Sequence, residues 1–304
     1  MQFYTDVHMT RVLSIFEFQK HFATEDKCFD HLVAVRWPDG FKCPKYNHSG
    51  AYIIKARKLF QCKSCKHQTS VTAGTCFHRL RQPLRLLFWA VYLVATNKKG
   101  ISALELQRKL DIRSYQTAWT LLHKIRSGMT SSCLFLLSGD VEVDETYIGG
   151  SRSGSTGRGA DNKQLVAVAV EKLGKKMGRN YFQHASKDEL GAFVKEYVTK
   201  RSSVITDGFP SYKHLKDEYN LDQKKLYSPE RAMELLPNVH IVITNTKAWL
   251  RGTFNRYPAP KHLKRYLNEF EFRFNRRWKL DNIFDKLLNR CLLTNNITYA
   301  ELTG

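Results

Sequence analysis

Two short β-branched runs carry an aspartate at or near their ends, Val141-Glu142-Val143-Asp144 and Val204-Ile205-Thr206-Asp207; a third, His240-Ile241-Val242-Ile243-Thr244-Asn245, closes on an asparagine. Runs this rich in Val and Ile do not stay in water. They read as buried strands whose last polar residue lies at the rim of a sheet. Carboxylates brought to one rim from separate strands favour hard cations, which take oxygen ligands and keep room for water and substrate phosphate. The pattern therefore predicts an α/β sheet with Asp144, Asp207 and Asn245 gathered at its edge, holding two Mg2+ or Mn2+ ions for phosphoryl transfer. One aspartate after such a run is ordinarily a turn residue or a helix cap; three together point to a site.

The charge balance says what such a site would act on. Forty-nine Lys and Arg against 28 Asp and Glu give a net charge of +21 in 304 residues. Such a surplus calls for a polyanionic partner, because cations that neutralise phosphates release condensed counterions. A hydrophobic content of 42% excludes a disordered polycation and suffices for two or three compact units. No apolar stretch approaches the ~20 residues of a membrane span, and no basic leader precedes an apolar signal core, so a cytoplasmic protein without a membrane partner is expected. Seven cysteines, unevenly spaced, fit reduced thiols or a metal site better than a disulfide framework.

Along the chain the segments 1–40, 41–78, 79–130, 138–290 and 291–304 separate by pattern. The first has Phe16, Phe18, Phe22, Cys28, Leu32 and Val35 at roughly helical spacing. In the second, Cys43-Pro44-Lys45-Tyr46-Asn47-His48 and Cys62-Lys63-Ser64-Cys65 form two knuckles around short hairpin strands, nearly a zinc ribbon. Structural zinc wants four N or S ligands. Tyr46 stands where a second thiolate of the first knuckle would be, leaving either a Cys43, His48, Cys62, Cys65 zinc site or a plain surface histidine. In the third segment an apolar helix from Pro83 to Thr96 precedes a capping box at Ser102-Ala103-Leu104-Glu105. Two short helices follow, joined at Asp111-Ile112-Arg113. This predicts a helix-turn-helix laying Tyr115, Gln116, Thr117 and Lys124 toward the major groove, although helical hairpins are also common in proteins that touch no DNA.

The Gly-rich stretch 149–159 lacks the spacing of a phosphate-binding fingerprint and instead joins two strands, Val141 to Ile148 and Gln164 to Glu171. A third strand near Asn180 to His184, a helix over 187–200 and the Asp207 strand complete a ribonuclease H-like plan. Residues 247–279 then carry ten Lys or Arg against two Glu. Lys264, Arg273, Arg276 and Arg277 are the expected phosphate contacts there, with Leu263, Leu267, Phe270 and Phe274 facing a core. Residues 291–304 read as a tail.

Four blocks carry a resemblance. They are Arg36-Trp37-Pro38-Asp39-Gly40-Phe41-Lys42-Cys43-Pro44, Thr69-Ser70-Val71-Thr72-Ala73-Gly74-Thr75, Val143-Asp144-Glu145-Thr146-Tyr147-Ile148-Gly149-Gly150, and the run from Tyr266 through Asn268, Glu269 and Phe270 to Arg277. In this order they resemble the prokaryotic insertion-sequence transposases of the ISXO-like group over nearly the whole chain. The resemblance implies a DDE-type catalytic domain with Asn in third place, hence Asp144, Asp207 and Asn245, followed by a basic residue at Lys247 or Arg251. Glu269 is the rival third ligand. It also implies double-stranded DNA partners, element ends and target, a homo-oligomer of at least two chains on DNA, and a nucleoid-associated location. Tyr46 departs from the family's cysteine. Two other readings stand beside this one: a DNA-binding protein derived from such an element with its catalysis lost, and a ribonuclease H-like nuclease without strand transfer.

Overall fold

A computed structural model describes residues 12–130, 135–150, 163–174, 176–184, 186–207, 209–223 and 234–304. They divide into two compact units. One is formed by the chain up to Met129 together with Lys279–Gly304, the other by Thr130–Trp278.

The first unit opens with helices α1 (Ile15–His21) and α2 (Glu25–Arg36), started by Ser14 in a capping box and by the Thr24 hydroxyl. Strands β1 (Ala51–Ile54), β2 (Leu59–Cys62) and β3 (Gln68–Ser70) make an antiparallel sheet in that order. Helix α3 (Leu84–Thr96) starts at Pro83, which has no side-chain cap to offer. The Glu25 carboxylate serves instead, accepting from the backbone N–H groups of Leu84 at 2.5 Å and Arg85 at 3.0 Å. Helices α4 (Ala103–Lys109) and α5 (Tyr115–Ser127) follow, with Asp111 in the left-handed region at the turn.

The second unit is built on a five-stranded sheet. Its strands are β4 (Asp140–Gly149), β5 (Lys163–Leu173), β6 (Lys176–His184), β7 (Ser203–Thr206) and β8 (Asn220–Gln223), in the order β6-β5-β4-β7-β8. β4, β5 and β6 pair antiparallel, whereas β7 and β8 run parallel to β4. Helix α6 (Leu190–Tyr197) makes the crossover from β6 to β7. Three antiparallel strands, a helix and returning parallel strands are the ribonuclease H-like arrangement. Alternation along β4 and β5 divides their side chains between the two faces. Val141, Val143, Ala167 and Ala169 pack with Leu190, Phe193, Tyr212 and Leu215. Ile148, Val166, Val168 and Val170 pack with helices α7 (Pro237–Phe254) and α8 (Pro260–Phe274) through Val239, Val242, Leu250, Leu263, Leu267 and Phe270.

Two expectations are overturned here. The run from His240 to Asn245 is not a strand but the second and third turns of α7. Its β-branched residues favour strand, yet Pro237 sits in the first turn, where its missing N–H costs nothing. The buried positions Val239, Val242, Ile243, Thr246 and Leu250 fall at helical spacing, so burying that stripe outweighs local propensity. Nor is 291–304 a tail. Helix α9 (Ile283–Leu293) and helix α10 (Tyr299–Thr303) belong to the first unit, where Phe284 sets its ring 5.1 Å from that of buried Phe18.

Candidate active site

In the parallel pairing of β4 with β7, Val141 lies opposite Val204 and Glu142 opposite Ile205. Carried on, that register brings Asp207, one residue past β7, level with Asp144. Carboxylate oxygens of Asp144, Glu145 and Asp207 lie within 4.8 Å of one another. Asp207 is held by a local turn in which its Oδ1 accepts the Phe209 N–H at 3.0 Å. The hydroxyl of buried Tyr212 lies 3.3 Å from Glu145 Oε2 and donates to it. Burial first, and then the negative charges of Glu145, Asp144 and Asp207, push the Tyr212 phenol well above its usual range. It therefore stays a neutral donor. Three carboxylates this close repel one another unless a cation sits among them, and an all-oxygen set suits a hard divalent ion.

Helix α7 brings a nitrogen donor beside Asp144, next to the three-carboxylate group. His240 Nδ1 lies 3.7 Å from Asp144 Oδ2. Burial holds the His240 imidazole below its usual range against the pull of Glu142 and Asp207, so the ring is neutral near pH 7. Its Nε2 is buried without a hydrogen-bond partner in the described residues. The helix is fixed by Glu142, two residues before Asp144 on β4, which accepts from the backbone N–H groups of Asn238 at 2.8 Å and Val239 at 2.9 Å and from the Asn238 side chain. A strand residue thus caps the helix that carries His240.

Asn245 does not join the cluster. At 3.6 residues per turn it lies about 140° round the helix from His240, and it is exposed. Lys247, seven residues after His240, returns to the histidine's face. Its ammonium is lowered by burial and raised in opposition by Asp144, while Arg251, one turn further, is exposed. Of the two basic candidates, Lys247 is the one that senses Asp144. Glu269 is a buried core residue accepting from Arg273 Nε at 3.0 Å and Nη2 at 2.8 Å, not a member of the acidic cluster.

Several expected DNA contacts are occupied internally. Buried Lys124 donates to the Cys76 carbonyl at 2.8 Å, Asn296 Oδ1 at 3.0 Å and the Ile297 carbonyl at 2.6 Å, so it anchors α5 and does not face a groove. Arg276 stacks 4.0 Å from the Phe272 ring centroid. Arg277 stacks 3.8 Å from that of Phe274 and donates to the carbonyls of Met177, Gly178 and Phe274. Arg273 serves Glu269. Tyr115 and Gln116 are exposed at the start of α5 with Thr117 half-exposed beside them, and Lys264 is exposed on α8. The loop 151–162 lies outside the described residues.

In the first unit, Cys43, Cys62 and Cys65 bring their sulfurs within 4.8 Å of one another. Cys62 Sγ lies 3.9 Å from His48 Nδ1. The Cys65 backbone N–H, the largest of several influences, draws the Cys62 thiol down toward thiolate. Three clustered sulfurs, with an imidazole beside Cys62, are the donor types that structural zinc takes. Tyr46 turns away, 64% exposed.

An acidic cluster on a ribonuclease H-like sheet defines a phosphoryl-transfer class of domain. Residues 136–275 match the ISXO2-like transposase domain and residues 23–68 the transposase zinc-ribbon domain, together more than half of the chain. The chain belongs to this insertion-sequence transposase family and is a DNA transposase. It is 24% identical over 217 residues, 66% of this chain and 72% of the relative, to a protein of Halobacterium salinarum described as an uncharacterized protein in transposable element ISH50. A solved structure, that of the Mos1 strand transfer complex, aligns over 69% of this chain and 78% of that one at 12% identity and a TM-score of 0.29, too slight a likeness to draw on. No helix among the described residues is long and apolar enough to cross a membrane.

Proposed function

We propose that the transposase cuts DNA at its element's ends and joins the freed 3′-hydroxyl to target DNA at a site made by Asp144, Asp207 and His240, with Glu145 beside them. The supporting observation is the approach of three carboxylates within 4.8 Å of one another, with His240 Nδ1 3.7 Å from Asp144. Asp144, Asp207 and His240 would hold Mg2+ or Mn2+, with Glu145 a further carboxylate. Bound there, such ions supply a polarised water and neutralise charge on the scissile phosphate. The chain's own residues do the placing. The Phe209 N–H fixes Asp207, Tyr212 fixes Glu145, the Glu142 cap fixes α7, and Lys247 is positioned to meet a phosphate oxygen. No side-chain nucleophile is required, since water and then the 3′-hydroxyl attack in line.

Cys43, His48, Cys62 and Cys65 hold zinc in this reading, Tyr115, Gln116 and Thr117 read duplex ends, and at least two chains assemble on DNA. The test is cleavage of an end-bearing duplex by wild type and Asp207→Asn with added manganese. Manganese-dependent cleavage lost in the variant, with end binding kept, supports the assignment; equal cleavage by both overturns it.

A further inference from the structure

From Gly40 to Leu104 the sequence holds twelve Lys or Arg and no Asp or Glu. Within that stretch the ribbon displays two tyrosines that the fold does not bury. Tyr46, in the first knuckle, is 64% exposed, and Tyr52, on edge strand β1, is 59% exposed. Each carries a lysine on its ring: Lys45 Nζ lies 5.2 Å from the Tyr46 centroid and Lys63 Nζ 5.2 Å from that of Tyr52. Lys45 and Lys63 sit beside Cys43 and Cys62, whose sulfurs are within 4.8 Å, so both pairs flank the sulfur cluster. The one ribbon lysine committed to an ion pair among the described contacts is Lys58, bonded to Asp26.

A scattered exposed aromatic is ordinary. Two on one small module, each paired with a cation and with no carboxylate on the module to compete, match the parts that bind unpaired nucleic acid. There, aromatic faces take the bases and ammonium groups take the phosphates. A duplex hides its base faces in its own stack and offers such a surface only its phosphates. We infer that the ribbon binds unpaired DNA, stacking bases on Tyr46 and Tyr52 while Lys45 and Lys63 contact the adjacent phosphates. Tyr46 thus has a use of its own where a thiolate would otherwise stand. The surface rests on the reading of the chain as acting on DNA, and adds a preference for frayed or tailed ends over closed duplex.

The test is fluorescence anisotropy with the full chain, without added magnesium, on one sequence as a blunt duplex and as the same duplex with a single-stranded tail. Wild type is expected to bind the tailed form more tightly. Tyr46→Ala with Tyr52→Ala should abolish that preference, at about fivefold or more per tyrosine, and leave blunt-duplex affinity unchanged. Tyr46→Phe with Tyr52→Phe should keep it. Lys45→Gln with Lys63→Gln should reduce the salt slope on the tailed form by about 1.4. Equal affinity of wild type for both DNAs, or a preference surviving the alanine pair, overturns the inference alone. Failure to bind either DNA overturns the DNA reading with it.

Discussion

In the proposed site His240 carries the most weight among single side chains, because its neutral imidazole would add a ligand beside Asp144, whereas Asn245 is turned well round α7 from it. His240→Ala is expected to lower end cleavage by at least the roughly 10- to 100-fold that loss of a mere outer-shell partner of a metal ligand costs. Asn245→Ala should stay within about twofold of wild type. Cleavage rates of the two variants side by side decide it, and the reverse ranking would restore the asparagine. That Asp144 and Asp207 come together was legible in sequence, because each lies in or just past a β-branched run that forms a true strand. His240 was hidden by the run it opens, which imitates a strand, and Glu145 by its place next to a stronger candidate. A separate residue-scale effect concerns Glu218, whose carboxyl is drawn down to about 2 by hydrogen bonds from Lys195 and then Lys200. A depressed carboxyl stabilises the fold above its unfolded value of about 4.3 and loses that contribution as pH falls toward about 2. Thermal melts should accordingly show Glu218→Gln slightly less stable than wild type at pH 7, with the gap narrowing by pH 3.

At the level of elements, the strand that provides Asp144 also caps the helix that provides His240. Removing a buried cap of this kind costs about 1–3 kcal/mol, because the N–H groups of Asn238 and Val239 lose their partner. Glu142→Ala should therefore lower the melting temperature and depress cleavage further than it depresses DNA binding, whereas Glu142→Gln, which keeps an acceptor, should do less. A variant that cleaves normally would mean that α7 is positioned by packing alone. This cap cannot be read from sequence, since Glu142 and Asn238 are 96 residues apart and the β-branched run in the helix has the pattern of a strand. The strands over 141–148, 164–171 and 180–184 were legible from alternation and β-branching. The Phe/Arg block was half legible. Its apolar stripe faces the core as its period implies, but Arg273, Arg276 and Arg277 bind Glu269, ring faces and carbonyls, which charge counting alone does not reveal.

For the whole molecule, the chain leaves its catalytic unit at Trp278 and returns to the first unit, where Phe284, Leu287, Leu288 and Cys291 are buried. Ending the chain after Trp278 would expose the apolar surface that those residues cover. Such a truncation should destabilise residues 12–129 and leave 130–278 folded, which hydrogen exchange of the two units can read; equal protection in both would contradict the division. Charge and composition made a DNA partner legible at this scale. They could not show the return of the C-terminal helices, because helical spacing in 283–293 says that a face is buried and not what buries it. The central claim is that the acidic cluster on the ribonuclease H-like sheet performs strand transfer. The most direct measurement is joining of a labelled duplex, bearing the element's own end, to target DNA with magnesium or manganese, by wild type and by Asp144→Ala. The prediction is joined product with wild type and none with Asp144→Ala despite retained end binding, whereas joining by both, or binding without any cleavage by wild type, would contradict it.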